Sequence, residues 1–486
     1  MGADDPGPAG PMIDPKPPRP TTLAPCQENQ WELMCALAPD PGRALYVVVE
    51  NRFLEGRLDR AALTAAFADV TRRHDGLRLA LDSLEPDPRV RIDERIEPPV
   101  DWLDLSGMDE TRQREAIEEL SFHENRRCFD LRRGPAWHAW VVRLGPERHL
   151  LNACFSHLVA DGWAPRVFVI DLLSAYGARL GLCPPPAGDA LTFAEIHALQ
   201  SRRMEMGERR LRFWREHLLP LAPPKVPRLL RARPDADLMA RARVEFRFPP
   251  GIVRELRREA WRSRTTTLMA MMAAYHVLLC LVGGLDRSVI NTAMLGRYTR
   301  REKEAFLQFA IDPYVGTRVP EAALLREVVR AAGESMAGAI EHALPFGALA
   351  RAVNPDFDCQ RPWPAHHLCD GVFIDTAAFD PHMSLAGLEV TQEFLPGRPA
   401  PNHVPGPMAS GMPDPVALAW EIRSGPGMLI YHFRGGGSLR YNGHVHSDEE
   451  MRDQVRRYLW VVDAVARRPE TPVGELREQH DRLFGG

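Results

Sequence analysis

Lysine is nearly missing from this chain: Lys16, Lys225 and Lys303 are three of its 61 basic residues, and the rest are arginine. The net charge is still only -4, with a pI near 6.5. No global field therefore draws nucleic acid or an anionic membrane, and neither is expected as a partner. Cysteine pairing is missing too. The eight cysteines (Cys26, Cys35, Cys128, Cys154, Cys183, Cys280, Cys359, Cys369) form no C-x-x-C, and most sit in apolar contexts such as Asn152-Ala153-Cys154-Phe155. That pattern excludes a disulfide frame or a zinc site and fits reduced packing residues of a cytoplasmic protein. No apolar run reaches the roughly 20 residues that span a bilayer. The longest, Leu268 to Val282, is interrupted by Tyr275 and His276 and reads as a core helix. Residues 1–22 are rich in Pro, Gly and Asp and lack the basic start and apolar centre of a signal, so a disordered lead-in is expected. No repeat period is visible.

What is present is enough apolar material for more than one core. With 486 residues and 45% hydrophobic content, two subdomains of about 200 residues each are the natural division. Residues 23–183 are expected to form an N-terminal lobe that ends after a helix including Val167 to Leu180. Pro184-Pro185-Pro186 breaks that helix and opens a linker, 184–241, containing a charged helical stretch from Phe193 to Leu219. A C-terminal lobe, 242–486, starts with the alternating strand Val244-Glu245-Phe246-Arg247-Phe248 and closes with a helix from Asp448 to Ala466. The Pro/Gly-rich stretch from Leu395 to Pro415 is too long for an ordinary connection and marks a functional or mobile segment.

The most informative stretch is Ser156-His157-Leu158-Val159-Ala160-Asp161-Gly162-Trp163, which follows an apolar run (Leu150, Leu151, Ala153, Cys154, Phe155) that reads as a buried strand. A histidine where a strand breaks into a loop, with an acid four residues on and a glycine next, can be a positioned base. Around it, Phe129-Asp130-Leu131, Gly134-Pro135, Trp137 and Trp140 precede the strand. Arg73-His74-Asp75-Gly76-Leu77-Arg78 lies further upstream; a long apolar helix from Thr267, Gly283-Gly284, a strand at Ser288–Thr292 and Gly296-Arg297 lie downstream. The order of these segments resembles the condensation domains of nonribosomal peptide synthetases, members of the chloramphenicol-acetyltransferase-like superfamily.

The resemblance covers almost the whole chain from about Leu23. It implies an α/β fold of the α+β sandwich type, with two chloramphenicol-acetyltransferase-like lobes forming a V around a central channel, and a segment of the second lobe that crosses onto the first. The implied activity is acyl transfer from a carrier-protein thioester to an amine or alcohol acceptor, forming an amide or an ester in natural-product biosynthesis. No cofactor is bound. The substrate is presented on the phosphopantetheine of a separate acyl or peptidyl carrier protein, and no metal is required.

The resemblance places His157 at the lobe junction as the catalytic residue, acting as a base or as a hydrogen-bonding orienter; an unperturbed pKa of about 6.5 suits either role. Gly162 joins it, its lack of a Cβ giving room for a carbonyl or pantetheine arm. Asp161 is read as structural, paired with an arginine for which Arg78 and Arg73 are the candidates. Ser156 and Trp163 complete the structural set. Ser156 stands where family members carry a first histidine, and Asp312-Pro313-Tyr314 where they carry an Asn-Thr pair. Arg209 and Arg210, on an arginine-rich helix otherwise read as a solvated face, are candidates for docking an acidic carrier.

Two further motifs are set aside. Phe433 to Leu439 mimics a phosphopantetheine attachment site, but its flanks read as a hairpin. His366-His367 beside Cys369-Asp370 lacks a repeated ligand spacing. With no adenylation motif, no carrier and no G-x-S-x-G in view, the expectation is a free-standing condensation enzyme, or an excised one. A catalytically silent recruitment module and a coenzyme-A-dependent acyltransferase of the same fold are the alternatives.

Overall fold

The structure is a computed structural model that describes residues 22–37, 40–43, 46–84, 88–205, 207–218, 241–353, 371–375, 382–392, 429–433, 435–442 and 446–485. Most of the lead-in, the proline-broken stretch 220–234, the pair His366-His367 with Cys369 and Asp370, and the segment Leu395 to Pro415 lie outside the described residues.

In chain order the first part carries α1 (Pro25–Leu37), β1 (Val47–Glu55), α2 (Arg60–Arg73), β2 (Leu79–Ser83), β3 (Arg89–Ile92), β4 (Val100–Asp104), α3 (Glu110–Glu124), β5 (Trp137–Arg143), β6 (Arg148–Ser156) and α4 (Ala164–Arg179). Next come α5 (Phe193–Arg203) and α6 (Glu208–Leu218). The remainder carries β7 (Arg241–Arg247), α7 (Ile252–Arg262), α8 (Thr267–Gly283), β8 (Arg287–Thr292), the one-turn α9 (Arg300–Lys303), β9 (Tyr314–Arg318), α10 (Leu325–Glu341) and α11 (Phe346–Val353). It ends with β10 (Gly371–Asp375), β11 (His382–Leu385), β12 (Leu388–Gln392), β13 (Leu429–Phe433), β14 (Gly436–Asn442), α12 (Asp448–Arg467) and α13 (Val473–Phe484).

Among the described residues these strands form two six-stranded sheets, ordered β11-β12-β1-β6-β5-β4 and β7-β14-β13-β10-β8-β9, and the small pair β2-β3. β6 is the spine of the first sheet. It pairs antiparallel with β1 over its whole length, from Val47 opposite Ser156 to Glu55 opposite Arg148. Leu151, Ala153 and Phe155 enter the core built with Phe67 and Val70 of α2 and Phe168 and Leu172 of α4. Leu150 packs on the opposite face with Ile117 of α3. Covered on both faces, the strand shows no polar alternation and reads as a continuous apolar run.

The second core is organised by α8, an all-round apolar helix that is buried on nearly every face. Thr266 caps its start by accepting from the Met269 N–H, and Gly284 ends it in the left-handed region at φ 63°. His276 in its middle is fully buried yet bonded to the Ser288 hydroxyl at 2.7 Å and the Thr317 hydroxyl at 3.3 Å. Among the described residues no single helix is long and apolar enough to cross a membrane.

Two features join the halves. The hairpin β11–β12 leaves the second half and adds to the edge of β1, Gln392 opposite Arg52 through Glu389 opposite Glu55. Residues 294–311 form a loop closed at its base by the Met294–Ile311 bridge. That loop inserts Ala305, Phe306, Leu307 and Phe309 into the core of the first half. Burial of each of the two phenylalanines and the leucine stabilises by about 1.5–3 kcal/mol, so the loop is a structural wedge between the halves.

The single charged helix expected from Phe193 to Leu219 is two helices, α5 and α6, with the chain turning around Gly207. A glycine resists helix continuation by about 1 kcal/mol relative to alanine, and each helix packs separately. Gly436 to Asn442 pairs as one arm of an antiparallel hairpin with β13, and Ser438 is buried within it. The apparent attachment serine is thus an interior strand residue.

Candidate active site

β6 ends at Ser156, whose carbonyl accepts from the N–H groups of Val159 and Ala160 and so turns the chain out of the sheet. The Ser156 hydroxyl, buried, accepts from the Leu158 N–H at 3.4 Å. His157 leaves this turn half-buried. Its N–H donates to the Tyr46 carbonyl at 2.7 Å, and its ring stacks on that of Tyr46 with centroids 4.4 Å apart and planes 17° from parallel. Gln27 of α1 donates its side-chain N–H to the Leu158 carbonyl at 3.0 Å and fixes the loop from the other side.

Asp161 is the centre of the arrangement and is 1% exposed. One carboxylate oxygen accepts from the N–H groups of Trp163 (3.0 Å) and Ala164 (2.9 Å), which open α4, where Pro165 has no N–H to satisfy. The other accepts from the Arg297 guanidinium and from the N–H groups of Phe309 (2.9 Å) and Ala310 (3.1 Å). Arg297 is itself buried. It donates to the carbonyls of Leu295, Glu302 and Leu307 and lies over the Phe309 ring at 4.4 Å. One ion pair therefore ties the loop after β6 to the wedge from the other half. Gly296 precedes it at φ 62°, where a Cβ would lie 1.9 Å from the Phe309 carbonyl oxygen.

This geometry corrects the expected partner of Asp161. Arg73, at the end of α2, reaches across to α4 and bonds Asp171 at 2.8 Å and the Gly188 carbonyl at 2.6 Å. Arg78 is held by Asp75, three residues back, at 2.6 Å. Arg73 is drawn away by the packing of α2 against α4, and Arg78, in the short turn after α2, is engaged by Asp75. Arg297 takes the place assigned to them. Tyr46 was not anticipated, and Gln27 and Phe309, which match the family's opening segment and the strand after the Gly-Arg turn, were given no role at this loop; the only signal in the sequence for the pairing was the Gly296-Arg297 turn.

Gly162 is exposed, has an ordinary φ, and a Cβ built on it meets nothing within 4 Å. The fold itself thus imposes no glycine there. Trp163 is half-buried and its indole N–H donates to the Lys303 carbonyl at 2.8 Å, a second tie between the halves. Of the two docking candidates, Arg209 pairs with Glu341 at 2.6 Å on the surface. Arg210 turns inward and donates to the Ala343 carbonyl at 2.7 Å, so the two arginines do not form one free basic patch. Asp312 lies at the mouth of the wedge, its carbonyl accepting from the Asn291 amide at 3.3 Å.

The titratable groups around the wedge are held in fixed states. Burial pushes the Cys26 thiol up, reinforced by Asp161 and Asp312, so it stays protonated and donates to the Phe309 carbonyl at 3.4 Å. Burial acts to raise Glu302 as well. Its bonds to Arg203 and to the N–H groups of Tyr298 and Thr299 prevail and hold its carboxyl at about 2. Among the described residues no three His, Cys, Asp or Glu side chains cluster as a metal site.

The chain is similar to known proteins in sequence and in fold. Residues 21–357 match the Condensation domain family. Chondramide synthase cmdD of Chondromyces crocatus is 29% identical over 356 residues, which are 70% of this chain and 9% of that protein. Phosphinothricin tripeptide synthetase PhsB of Streptomyces viridochromogenes is 27% identical over 343 residues, 69% of this chain and 28% of that protein. The chain thus spans less than a third of these relatives. Among solved structures, the X-domain from teicoplanin biosynthesis superposes with a TM-score of 0.72 at 21% identity, covering 95% of this chain and 98% of that one. SgcC5 from Streptomyces globisporus gives 0.67 at 23%, covering 93% and 100%. The α/β fold is the expected chloramphenicol-acetyltransferase-like one, and the chain belongs to the condensation-domain family, whose members act in natural-product biosynthesis and are in general acyl-transferring enzymes.

Proposed function

We propose that the chain transfers an acyl or aminoacyl group from a carrier-protein thioester to an amine or alcohol, with His157 positioning the nucleophile or taking its proton. The observation that carries this reading is the rigid presentation of His157. Its ring is stacked on Tyr46 and half-buried, on a loop pinned from both halves by Asp161 and Arg297. Holding two reactants in line can remove about 7–11 kcal/mol of a bimolecular barrier, so a fixed histidine between donor and acceptor serves the reaction even with modest basicity. The thioester carbonyl is attacked by the acceptor nitrogen or oxygen, the acceptor proton passes to His157 or to the departing thiolate, and the carrier's free thiol is released. Gly162, open at its Cβ position, leaves room for the pantetheine arm beside that carbonyl.

A single-turnover assay tests the reading: acyl-loaded carrier, a panel of amine and alcohol acceptors, and wild type against His157→Ala. Transfer by the wild type that falls at least a hundredfold in the variant, with unchanged folding, is expected. Transfer unaffected by the substitution refutes the assigned role.

Two observations favour a second reading, a recruitment module without turnover: Ser156 replaces the first motif histidine, and the fold is shared with an X-domain seen in complex with OxyB. Absence of transfer with every acceptor in the same assay is the result that favours it.

A further inference from the structure

A cavity of about 300 Å³ lies on the side of the wedge formed by Phe309 and Gly296, between α5, α6 and the end of α10. His157 is not among its walls. Its body is apolar, with Met204, Phe309, Ile311 and Ile340 facing it, and its size lies at the small end of ordinary ligand pockets. The charged groups on the wall are not equivalent. Arg203 is neutralised by two bonds to Glu302, at 3.0 and 2.7 Å, and Glu341 is occupied by Arg209. Arg210, half-buried, donates one N–H to the Ala343 carbonyl and has no carboxylate within ion-pair distance among the described residues. Among the described residues its remaining guanidinium N–H groups have no protein partner. The Cys26 thiol on the same wall is protonated and bonded to Phe309, so it offers no competing charge.

We infer that this cavity binds a small apolar monocarboxylate, its carboxylate on Arg210 and its hydrocarbon or aryl body among Met204, Phe309, Ile311 and Ile340. One planar cation without a counter-charge matches one planar carboxylate, which a guanidinium engages through paired N–H groups. A phosphate dianion is a poorer match, because a single guanidinium leaves half of its charge without a partner. A volume of about 300 Å³ leaves room for a short aryl-alkyl acid. The inference does not depend on the transfer reaction proposed above. It does imply a link to the loop, since Phe309 forms the cavity wall and donates its N–H to Asp161.

Calorimetric titration of the full chain with 4-phenylbutyrate, and with its neutral isostere 4-phenylbutanamide, tests this at low salt. The acid is expected to bind at least tenfold more tightly than the amide. Arg210→Gln abolishes that preference while leaving amide binding unchanged, and Arg210→Lys, which keeps the charge but not the planar fork, falls between. Ala343→Leu, which fills the cavity without touching the charge, weakens both probes. His157→Ala changes neither affinity, so a failure of the transfer proposal leaves this result intact and the reverse also holds. Equal binding of acid and amide, absence of acid binding up to ~10 mM (a free energy of about -2.7 kcal/mol), or an Arg210→Gln chain that still prefers the acid overturns the inference.

Discussion

Asp161→Asn is the substitution that most sharply separates the observed ion pair from the sequence-based alternatives. The carboxylate accepts five hydrogen bonds, two at the start of α4 and three from the wedge. An amide of the same shape has one acceptor oxygen. If that oxygen stays with the N–H groups of Trp163 and Ala164, the amide NH2 faces the Arg297 guanidinium and two backbone N–H groups, all donors. If it turns round, the start of α4 loses its cap and meets two N–H donors. In either orientation Arg297, with a side chain 0% exposed, is left without a counter-charge. Breaking a buried pair on one side costs about 3–5 kcal/mol, a large part of the ~5–15 kcal/mol by which a folded chain is stable.

Arg297→Met should cost less, because the carboxylate then keeps four backbone N–H donors and charge-assisted bonds of this kind contribute about 1.5–3 kcal/mol each. The double variant should therefore be more stable than the sum of the single losses predicts, by at least ~1 kcal/mol. Arg73→Met and Arg78→Met, whose side chains bond elsewhere, should add to Asp161→Asn within about 0.5 kcal/mol. Urea unfolding followed by tryptophan fluorescence, extrapolated linearly, measures all of these. An Asp161→Asn loss below ~1 kcal/mol, or coupling to Arg73 as large as to Arg297, refutes the central role given to this pair.

Gly162→Ala should leave the urea midpoint unchanged, since its Cβ meets no neighbour, and should lower single-turnover transfer at least tenfold; full activity would remove Gly162 from the site. Burial depresses His276 from 6.5 to about 3 in the folded chain. The unfolded chain therefore binds the extra proton between these values, and the contribution of the neutral imidazole is complete above pH 6.5 and declines as pH falls towards 3, by up to about 1.4 kcal/mol per pH unit. His276→Gln should flatten stability against pH between 6.5 and 4 relative to wild type, as followed by urea midpoints, and an unchanged slope would show that the ring already carries a proton when folded.

Much of this molecule was readable from short stretches of chain because the forces there are local. The apolar run Leu150 to Phe155 announced β6, the all-round apolar stretch from Thr267 announced α8, and Gly-rich residues between alternating segments announced the β13–β14 hairpin. The loop from Ser156 to Trp163 was legible for the same reason: a strand must end, an acid beside a glycine fixes the turn that follows, and a histidine stands between them.

What the sequence alone determined, then, was the main strands and helices, though not the break between α5 and α6, together with the family pattern and the position of His157 in it. Tertiary structure decided which of many arginines neutralises Asp161. Arg73, Arg78 and Arg297 are equal candidates in composition, and only the packing of α2 along α4, together with the insertion of residues 294–311 into the other core, brings the one 136 residues away into contact. It also decided that β11 and β12 complete the first sheet, that Arg210 turns inward while Arg209 stays at the surface, and that a cavity opens behind Phe309. Each of these depends on the distance between residues far apart in the chain, a quantity that no local periodicity encodes.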